Sequence, residues 1–300
     1  MRNWIRFPHG GGAVVLAALV ASPACVVDMV GAPRYTEREE KRFTVSGKPD
    51  VSLSTFDGAI EIRPSDRSEV AVTIEKQAYD KDAASRIEVR AEQSGDRIVV
   101  DVRLPKGHRM FGFHESASAK LIVSLPAASN VEAHSGDGSI DIERITGTLD
   151  LRSGDGSING RTLGGAVKAH TGDGSIKLAD VSGALDADTG DGTITAAGRF
   201  TSVRAHTGDG HVTITAVSGS SASEEWNITT GDGSVVLEVP DGFGAELDAH
   251  TGDGAIEVRD VSLSNVTGRI SRTTVRGRLG NGGSTVRVRT GDGSITLRRS

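Results

Sequence analysis

The stretch "HTGDGSIKLADVSGALDADTGDGTI", from His170 to Ile194, contains the same tetrapeptide twice, beginning at Thr171 and at Thr189. The pattern [ST]-Gly-Asp-Gly recurs through the second half of the chain, with its first glycine at 136, 154, 172, 190, 208, 231, 252 and 291. Counted in residues, the successive intervals are 18, 18, 18, 18, 23, 21 and 39. A nearly fixed period of this kind is typical of repeat architectures.

Apolar residues flank each copy of the tetrapeptide at alternate positions. Val167 and Ala169 precede the turn at Gly172, and Ile176 and Leu178 follow it. Polar residues lie between them, and the other copies repeat this arrangement. Because side chains alternate between the two faces of a strand, each repeat is predicted to hold two short strands with one apolar face and one wet face.

Two all-β folds accommodate such repeats. Asp-Gly between alternating strands is a hairpin signal, but an antiparallel meander of this length would exceed the roughly ten strands that open sheets usually reach. In a parallel β-solenoid, each repeat is one coil and residue i lies over residue i+18, so that like residues stack about 4.8 Å apart. The pattern therefore favours an all-β fold, a single-stranded parallel β-solenoid with about 18 residues and two short strands per coil.

The repeat pattern also predicts the division of the chain. Residues 41–130 are expected to form a less regular β-rich part or cap, and residues 131–300 the regular solenoid. The longest interval between turns is expected to contain one degenerate coil around Arg269–Gly283. Asp57-Gly58 resembles an early degenerate copy of the turn.

The sequence resembles the bacterial putative-adhesin β-strand-repeat family, whose function is unknown. The residues that carry the resemblance are the repeated "TGDGSI", the segment "LIVSLPAASNVEAHSGDGSIDI" (Leu121–Ile142) and the closing "VRGRLGNGGSTVRVRTGDGSITL" (Val275–Leu297). The resemblance implies an exported β-solenoid. The family name also implies a role at the cell surface.

The first residues predict export. Arg2 and Arg6 precede an apolar run, and small residues at 22 and 24 fit a cleavage site, so residues 1–24 are interpreted as a signal peptide and residues 25–40 as a linker. Cys25 is the one cysteine of the chain. It is either lipidated, as in bacterial lipoproteins, or an ordinary residue after the cleavage point. The expected location is the periplasm, the outer membrane or the cell surface.

The net charge of −6 disfavours nucleic acid as a partner, and a possible lipid at Cys25 is the only membrane contact expected. The unidentified partner is expected to be a glycan or a protein. Extra residues in the longer repeats, such as "SGSSASEE" (Ser218–Glu225), fall opposite the Gly-Asp-Gly turn and predict a binding edge there.

The repeated aspartates form the most regular candidate site. In the solenoid they are expected to stack in one column as a structural corner, with glycine at positive φ and aspartate accepting hydrogen bonds from turn N–H groups. Calcium shared between neighbouring carboxylates is the functional alternative, although one carboxylate per coil supplies few of the six to eight ligands that calcium takes. The column comprises Asp137, Asp155, Asp173, Asp191, Asp209, Asp232, Asp253 and Asp292.

Three other features could be functional. His134, His170, His206 and His250 precede four of the turns, but the first three would lie two coils apart and are predicted to be solvated rather than metal-bound. The loop Lys106–Glu115 carries Met110, Phe111 and Phe113 and is either a contact site or a flap over the end of the solenoid. Trp226 falls in an inward column and is predicted to fill the core.

No nucleophile elbow or zinc-protease motif occurs in the sequence. The sequence therefore predicts a non-enzymatic envelope or surface protein that acts as an adhesin or binding scaffold. A polysaccharide-active β-helix enzyme and an inert structural protein are the alternatives.

Overall fold

The computed structural model describes residues 35–105, 117–266 and 271–300. Within these residues the chain forms one 22-stranded β-sheet and one short α-helix. The all-β prediction is confirmed. The predicted signal peptide, Cys25 and the candidate contact residues Met110, Phe111 and Phe113 lie outside the described residues.

The middle of the chain builds the most regular part of the stack. Each strand pairs in parallel with its counterpart in the next repeat, so that Leu149 lies beside Val167 and Ile158 beside Ile176. The strands are β8 (Asn130–Ser135), β9 (Ile140–Glu143), β10 (Thr146–Ser153), β11 (Ile158–Thr171), β12 (Ile176–Thr189), β13 (Ile194–Thr207) and β14 (Val212–Ala216).

Strands β11, β12 and β13 each run 14 residues, from one Gly-Asp-Gly turn to the next. The two short strands expected per coil are therefore joined in these coils. Thr162 and Asp180 bend β11 and β12 with positive φ angles of 55° and 56°, which redirects the chain without ending the sheet pairing. We call this bend the opposite corner, because it lies across the coil from the Gly-Asp-Gly turn.

The N-terminal part of the chain continues the same stack of strands. β2 pairs in parallel with both β6 and β8, and β3 with both β7 and β9, so the coil of β2 and β3 lies between two later coils. The elements are β1 (Tyr35–Thr44), β2 (Asp50–Thr55), β3 (Ile60–Ser65), β4 (Glu69–Ala78), α1 (Lys81–Ser85), β5 (Glu88–Ser94), β6 (Arg97–Arg103) and β7 (Ser118–Pro126).

Antiparallel strands close this end. β4 pairs with β7, β1 pairs with β4, and β5 pairs with β6. The expected linker over 25–40 is shorter at its C-terminal side, because Tyr35–Thr44 already form β1.

Charged side chains on the inward-facing side of β1 and β4, including Glu39, Lys41 and Lys76, form ion pairs. Inward-pointing charges at a sheet edge disfavour edge-to-edge aggregation.

The C-terminal coils do not stack in chain order. The last coil, β21 and β22, pairs with β15 and β16 on one side and with β17 and β18 on the other. The strands are β15 (Trp226–Thr230), β16 (Val235–Val239), β17 (Ala245–Thr251), β18 (Ile256–Arg259), β19 (Leu263–Ser264), β20 (Thr274–Leu279), β21 (Thr285–Thr290) and β22 (Ile295–Arg299).

The degenerate parallel coil expected around Arg269–Gly283 is therefore wrong for the described part of that segment. Thr274–Leu279 form β20, which pairs antiparallel with β17 and also with β19. Alternating apolar and polar residues are compatible with parallel or antiparallel pairing. At the end of the stack, β17 pairs with β21 on one edge, and β20 covers its other edge.

The core is a column of aliphatic side chains between the strands that lead into and out of each turn. Ile158, Ile176 and Ile194 are fully buried and stack along it. Gly160 interrupts the pattern because Leu163 and Leu178 occupy the space beside it, each 2.7 Å from where its Cβ would lie.

Trp226 fills the core, as predicted. It is fully buried and contacts Phe200 edge-on, with ring centroids 6.1 Å apart, and Phe243, with centroids 5.1 Å apart. Its indole N–H donates to the carbonyl oxygen of Thr201 at 3.4 Å. The cluster lies where the insertion 217–225 widens the coil, so larger side chains are needed there.

A buried hydroxyl links each turn to its neighbour. Thr207 is fully buried and donates to the carbonyl oxygen of Gly192 in the preceding turn at 2.8 Å, while its Oγ1 accepts from the N–H of Gly210 in its own turn at 3.2 Å. Equivalent bonds to the second glycine of the neighbouring turn measure 2.7–2.9 Å and are made by Ser135, Ser153, Thr171, Thr189, Thr230, Thr251 and Thr290.

We call this series the hydroxyl ladder. Replacing Thr207 with valine keeps the shape but leaves the buried carbonyl of Gly192 and the N–H of Gly210 without this partner, which costs about 1–3 kcal/mol. We expect Thr207→Val to lower the free energy of unfolding in urea by that amount. Thr195→Val, on an exposed face, is the matched control and should change it by less than about 0.5 kcal/mol. Equal effects of the two substitutions would contradict a role for the ladder.

Candidate binding surfaces

The eight repeated aspartates form one ridge along the Gly-Asp-Gly edge. All eight are exposed. Their order differs from the expected one, because the turn of Asp292 stacks between those of Asp232 and Asp253. In the described part of the chain none of these carboxylates accepts a hydrogen bond. The N–H of the second turn glycine donates instead to the ladder hydroxyl, as at Gly210, and that of the first donates to the adjacent turn, as from Gly154 to Gly136.

The turns require glycine because successive turns pack closely, and not because the backbone has positive φ angles, as the sequence predicts. Apart from Gly58, at φ 131°, the glycines of these turns do not have positive φ angles. A Cβ on the second glycine of each copy would lie 1.9–2.3 Å from the carbonyl oxygen of the corresponding glycine in the adjacent turn. The close stacking of successive turns excludes any side chain at these positions.

Asp57 extends the ridge at its N-terminal end. Its turn stacks on that of Asp137, as shown by the contact of Gly136 with the backbone at Phe56 and Asp57. Burial raises the pKa of the Asp57 carboxyl above its usual value, and the Asp137 carboxylate raises it further, against a hydrogen bond from the N–H of Gly58 that lowers it. This half-buried aspartate is therefore destabilising in its charged form.

The four histidines lie on the exposed side of the strands that lead into the turns. Three have hydrogen-bonding neighbours: Nδ1 of His170 lies 2.9 Å from Asp188, that of His206 2.8 Å from Thr229, and that of His250 3.0 Å from Thr274. No group of three or more His, Cys, Asp or Glu side chains in the described ranges is arranged to hold a metal ion. Calcium shared between neighbouring carboxylates of the ridge stays the alternative to a structural role.

The apolar loop is attached at the same edge as the aspartate ridge. Val102, near the end of β6, pairs with Thr55, and Leu121, early in β7, pairs with Ile60. β6 therefore ends, and β7 begins, at the edge of the stack on which the Gly-Asp-Gly turns of the other coils lie. Met110, Phe111 and Phe113 themselves lie outside the described residues.

The insertions lie at the opposite corner, where the sequence predicts a binding edge, but much of each insertion serves the core. Ala222 and Phe243 are buried, and Ser220 accepts a hydrogen bond from the N–H of Phe200 at 3.1 Å. Glu225 forms an ion pair with Arg287. Residues 217–225 and 240–244 therefore close the widened coils over Trp226.

A groove that sequence reasoning missed crosses the exposed side of the strands that follow the turns. Its volume is about 610 Å³, and its charged lining residues are Arg63, Asp141, Glu143, Arg161 and Lys177. Ala179 and Ala197 replace longer side chains in the same column and leave the groove open. The sequence could have indicated this groove, since the equivalent position of other repeats carries glutamate, arginine or threonine in place of Ala179 and Ala197.

Asp248 illustrates how charges elsewhere are paired. Burial acts to raise the pKa of this carboxyl, but hydrogen bonds from Arg289 and Arg276 dominate and hold the pKa below its usual value. The Arg289 and Arg276 contacts measure 2.5 Å and 3.0 Å and connect β17 to β21 and β20.

No helix within the described ranges is long and apolar enough to cross a bilayer.

The raised pKa of Asp57 predicts a pH-dependent effect. The native state binds this proton more tightly than the unfolded state, so the favourable contribution is present below the ordinary pKa of 3.8 and is lost as the pH rises through the raised value. Asp57→Asn should therefore raise the free energy of unfolding at neutral pH. The gain should shrink below pH 3.8.

The measurement is urea unfolding at both pH values, with Asp66→Asn as a control that removes a carboxylate from an exposed turn. The same change in both variants would show that net charge, and not the position of Asp57, is responsible.

The exposed ridge also predicts the response to calcium. Carboxylates about 5 Å apart repel by about 1 kcal/mol in water, and solvation already limits that cost. We expect calcium and then chelator to leave the melting temperature unchanged. We also expect Asp173→Asn combined with Asp191→Asn to raise it slightly at low salt. A rise of several degrees with calcium that the double substitution abolishes would overturn the structural interpretation.

Several solved structures resemble this one at low identity. A "putative lipid binding protein" from Parabacteroides distasonis is 13% identical with a TM-score of 0.44, covering 87% of this chain and 96% of that chain. A "putative adhesin" from Bacteroides fragilis is 11% identical with a TM-score of 0.40 and the same coverage of both chains. Another from Parabacteroides merdae is 14% identical with a TM-score of 0.31, covering 87% and 95%.

These TM-scores are below 0.5, so nothing about the function of this chain follows from them. No curated protein matches the chain. The model of one family, Toastrack DUF4097, matches residues 50–298, which include both the irregular N-terminal coils and the regular repeats. The chain therefore belongs to the Toastrack DUF4097 family.

Proposed function

We propose that this protein is a non-enzymatic binding scaffold of the cell envelope, an adhesin-like protein whose ligand is a glycan or another protein. The observation that supports the proposal is the rigid register of its exposed faces. The hydroxyl ladder holds successive coils at constant spacing, so polar side chains such as Asn159, Lys177 and Thr195 stand in fixed columns. Such a surface presents repeated groups to an extended partner.

We also propose a more specific architecture for this scaffold. We describe the molecule as a parallel β-solenoid in which each sequence repeat forms one coil and terminal coils are inserted out of chain order. The pairing of Leu149 with Val167 and of Ile176 with Ile194 supports this description. A solenoid offers long flat sides for binding, and each repeat adds one further row of side chains.

The test of the proposed function combines binding and turnover. Purified mature protein is applied to an array of envelope and host glycans and, in parallel, incubated with the same polysaccharides in solution. Retention of intact glycans without loss of polymer length supports a binding scaffold. Chain cleavage would assign the protein to the polysaccharide-active enzymes, and binding to nothing would favour an inert structural protein.

Export and retention in the envelope form the second part of the proposal. The signal-like residues 1–24 and the lone Cys25 support it. We expect the mature protein from its native host to begin at Cys25 and to carry acyl groups, which intact-mass measurement detects. A chain that begins at Cys25 without added mass would remove the lipid anchor from the proposal, and a chain that retains residues 1–24 would contradict export. Cys25→Ser is the matched control and should carry no acyl mass.

A further inference from the structure

The groove on the exposed side of the strands that follow the turns has two cations without an ionic partner. Its acidic residues are already engaged: Asp141 accepts a hydrogen bond from Asn159 at 3.0 Å, and Glu143 lies 3.3 Å from Arg63. Within the described residues, the side chains of Arg161 and Lys177 form no ion pair or hydrogen bond. Both are exposed. With three basic and two acidic lining residues, the groove has a formal charge of +1 (3 − 2) on a chain whose net charge is −6.

The register places these two cations on adjacent strands. Asn159 pairs with Lys177 and Arg161 with Ala179, so the two cations are diagonal neighbours. Two residues along a strand and one strand across correspond to roughly 8 Å between them. Strands on both sides hold this position, since β11 pairs with β9 and with β12.

Small side chains beside the cations provide the space for a ligand. Ala179 continues the column of Arg161 on β12, and Thr195 continues the column of Lys177 on β13. Ala197, two residues beyond Thr195, also lines the groove. The groove extends from Arg63 on β3 to Ala197 on β13, across five strands, or about 19 Å at the usual spacing. This length and openness suit a segment of a polymer better than a single small anion.

The other exposed face lacks this arrangement. Lys168 stands in register between Asp150 and Asp186, and Arg204 stands beside Asp186. Cations and carboxylates alternate there and compensate one another. In the groove, by contrast, Lys177 stands between Asn159 and Thr195, without a carboxylate on either side. Arg161 stands between Ala179 and Glu143, and Glu143 is already paired with Arg63.

The chemistry of the groove selects the kind of ligand. A guanidinium matches the planar geometry of a carboxylate and can donate two parallel hydrogen bonds to it. The amide of Asn159 and the hydroxyl of Thr195 can bond sugar hydroxyl groups. The residues that line the groove include no aromatic side chain, so it offers no platform for stacking the bases of single-stranded nucleic acid.

We propose that this groove binds an acidic polysaccharide, with Arg161 and Lys177 contacting carboxylate groups on its sugar units. The proposal rests on the proposed function and names the ligand class of the scaffold. Binding is electrostatic and therefore weakens as the salt concentration rises.

Polygalacturonate is the probe, and its methyl ester is the uncharged counterpart. The native chain should bind the acid polymer and not the ester. Arg161→Ala combined with Lys177→Ala should weaken binding about tenfold or more. The control is Lys168→Ala combined with Arg204→Ala, which removes the same charge from the other face and should leave the affinity unchanged. Equal melting temperatures confirm that both double variants are folded.

Three outcomes would overturn the inference: equal affinity for the acid and the ester, equal losses in the two double variants, or binding to vesicles of anionic lipid in place of the polysaccharide. Binding of other glycans that is unaffected by Arg161→Ala with Lys177→Ala would remove this inference but leave the proposed function intact. Cleavage of the polymer would contradict the proposed non-enzymatic function. The effect of Arg161→Ala with Lys177→Ala on polymer binding would still test the inference about the groove.

Discussion

The hydrogen bond from a buried hydroxyl to the glycine carbonyl of the neighbouring turn is the interaction on which the stack depends. It requires the turns to approach closely, and the approach in turn requires glycine, since a Cβ at Gly192 would lie 2.0 Å from the carbonyl oxygen of Gly174. The threonines that donate it are buried, with Thr171, Thr189 and Thr207 each 1% or less exposed. Each such bond contributes only about 1 kcal/mol net, but an unsatisfied buried carbonyl would cost more, so every coil favours the same spacing.

That spacing explains how coils distant in sequence can be neighbours. The coil of β2 and β3 lies between two later coils, and the coil of β21 and β22 lies between two earlier ones. Every turn with a hydroxyl and two glycines presents the same donors and acceptors, so any such turn can stack on any other. As a result, the first and last coils are paired on both sides, and antiparallel strands cover the ends.

The two exposed faces differ because their polar columns are filled differently. On one face, Lys168 and Arg204 alternate with aspartates, which compensates charge along the stack. On the other, the alanines at 179 and 197 leave Arg161 and Lys177 beside an open groove. The scaffold determines where these side chains stand, and the side chains in the columns determine what the surface can attract. Function in such a fold therefore depends on departures from the repeat rather than on the repeat itself.

The sequence by itself determined the all-β class, the position of the turns, the inward columns and the burial of Trp226, because these depend on local alternation and on the match between repeats. Tertiary structure alone decided the stacking order of Asp232, Asp292 and Asp253, the antiparallel direction of Thr274–Leu279, and the role of the turn glycines. It also revealed that Arg161 and Lys177 share a groove. The turns are nearly identical in sequence, so the sequence does not indicate which turns are neighbours in the stack. Whether a charged side chain has an opposite charge beside it depends on side chains from the adjacent coils, and these are known only from the folded chain.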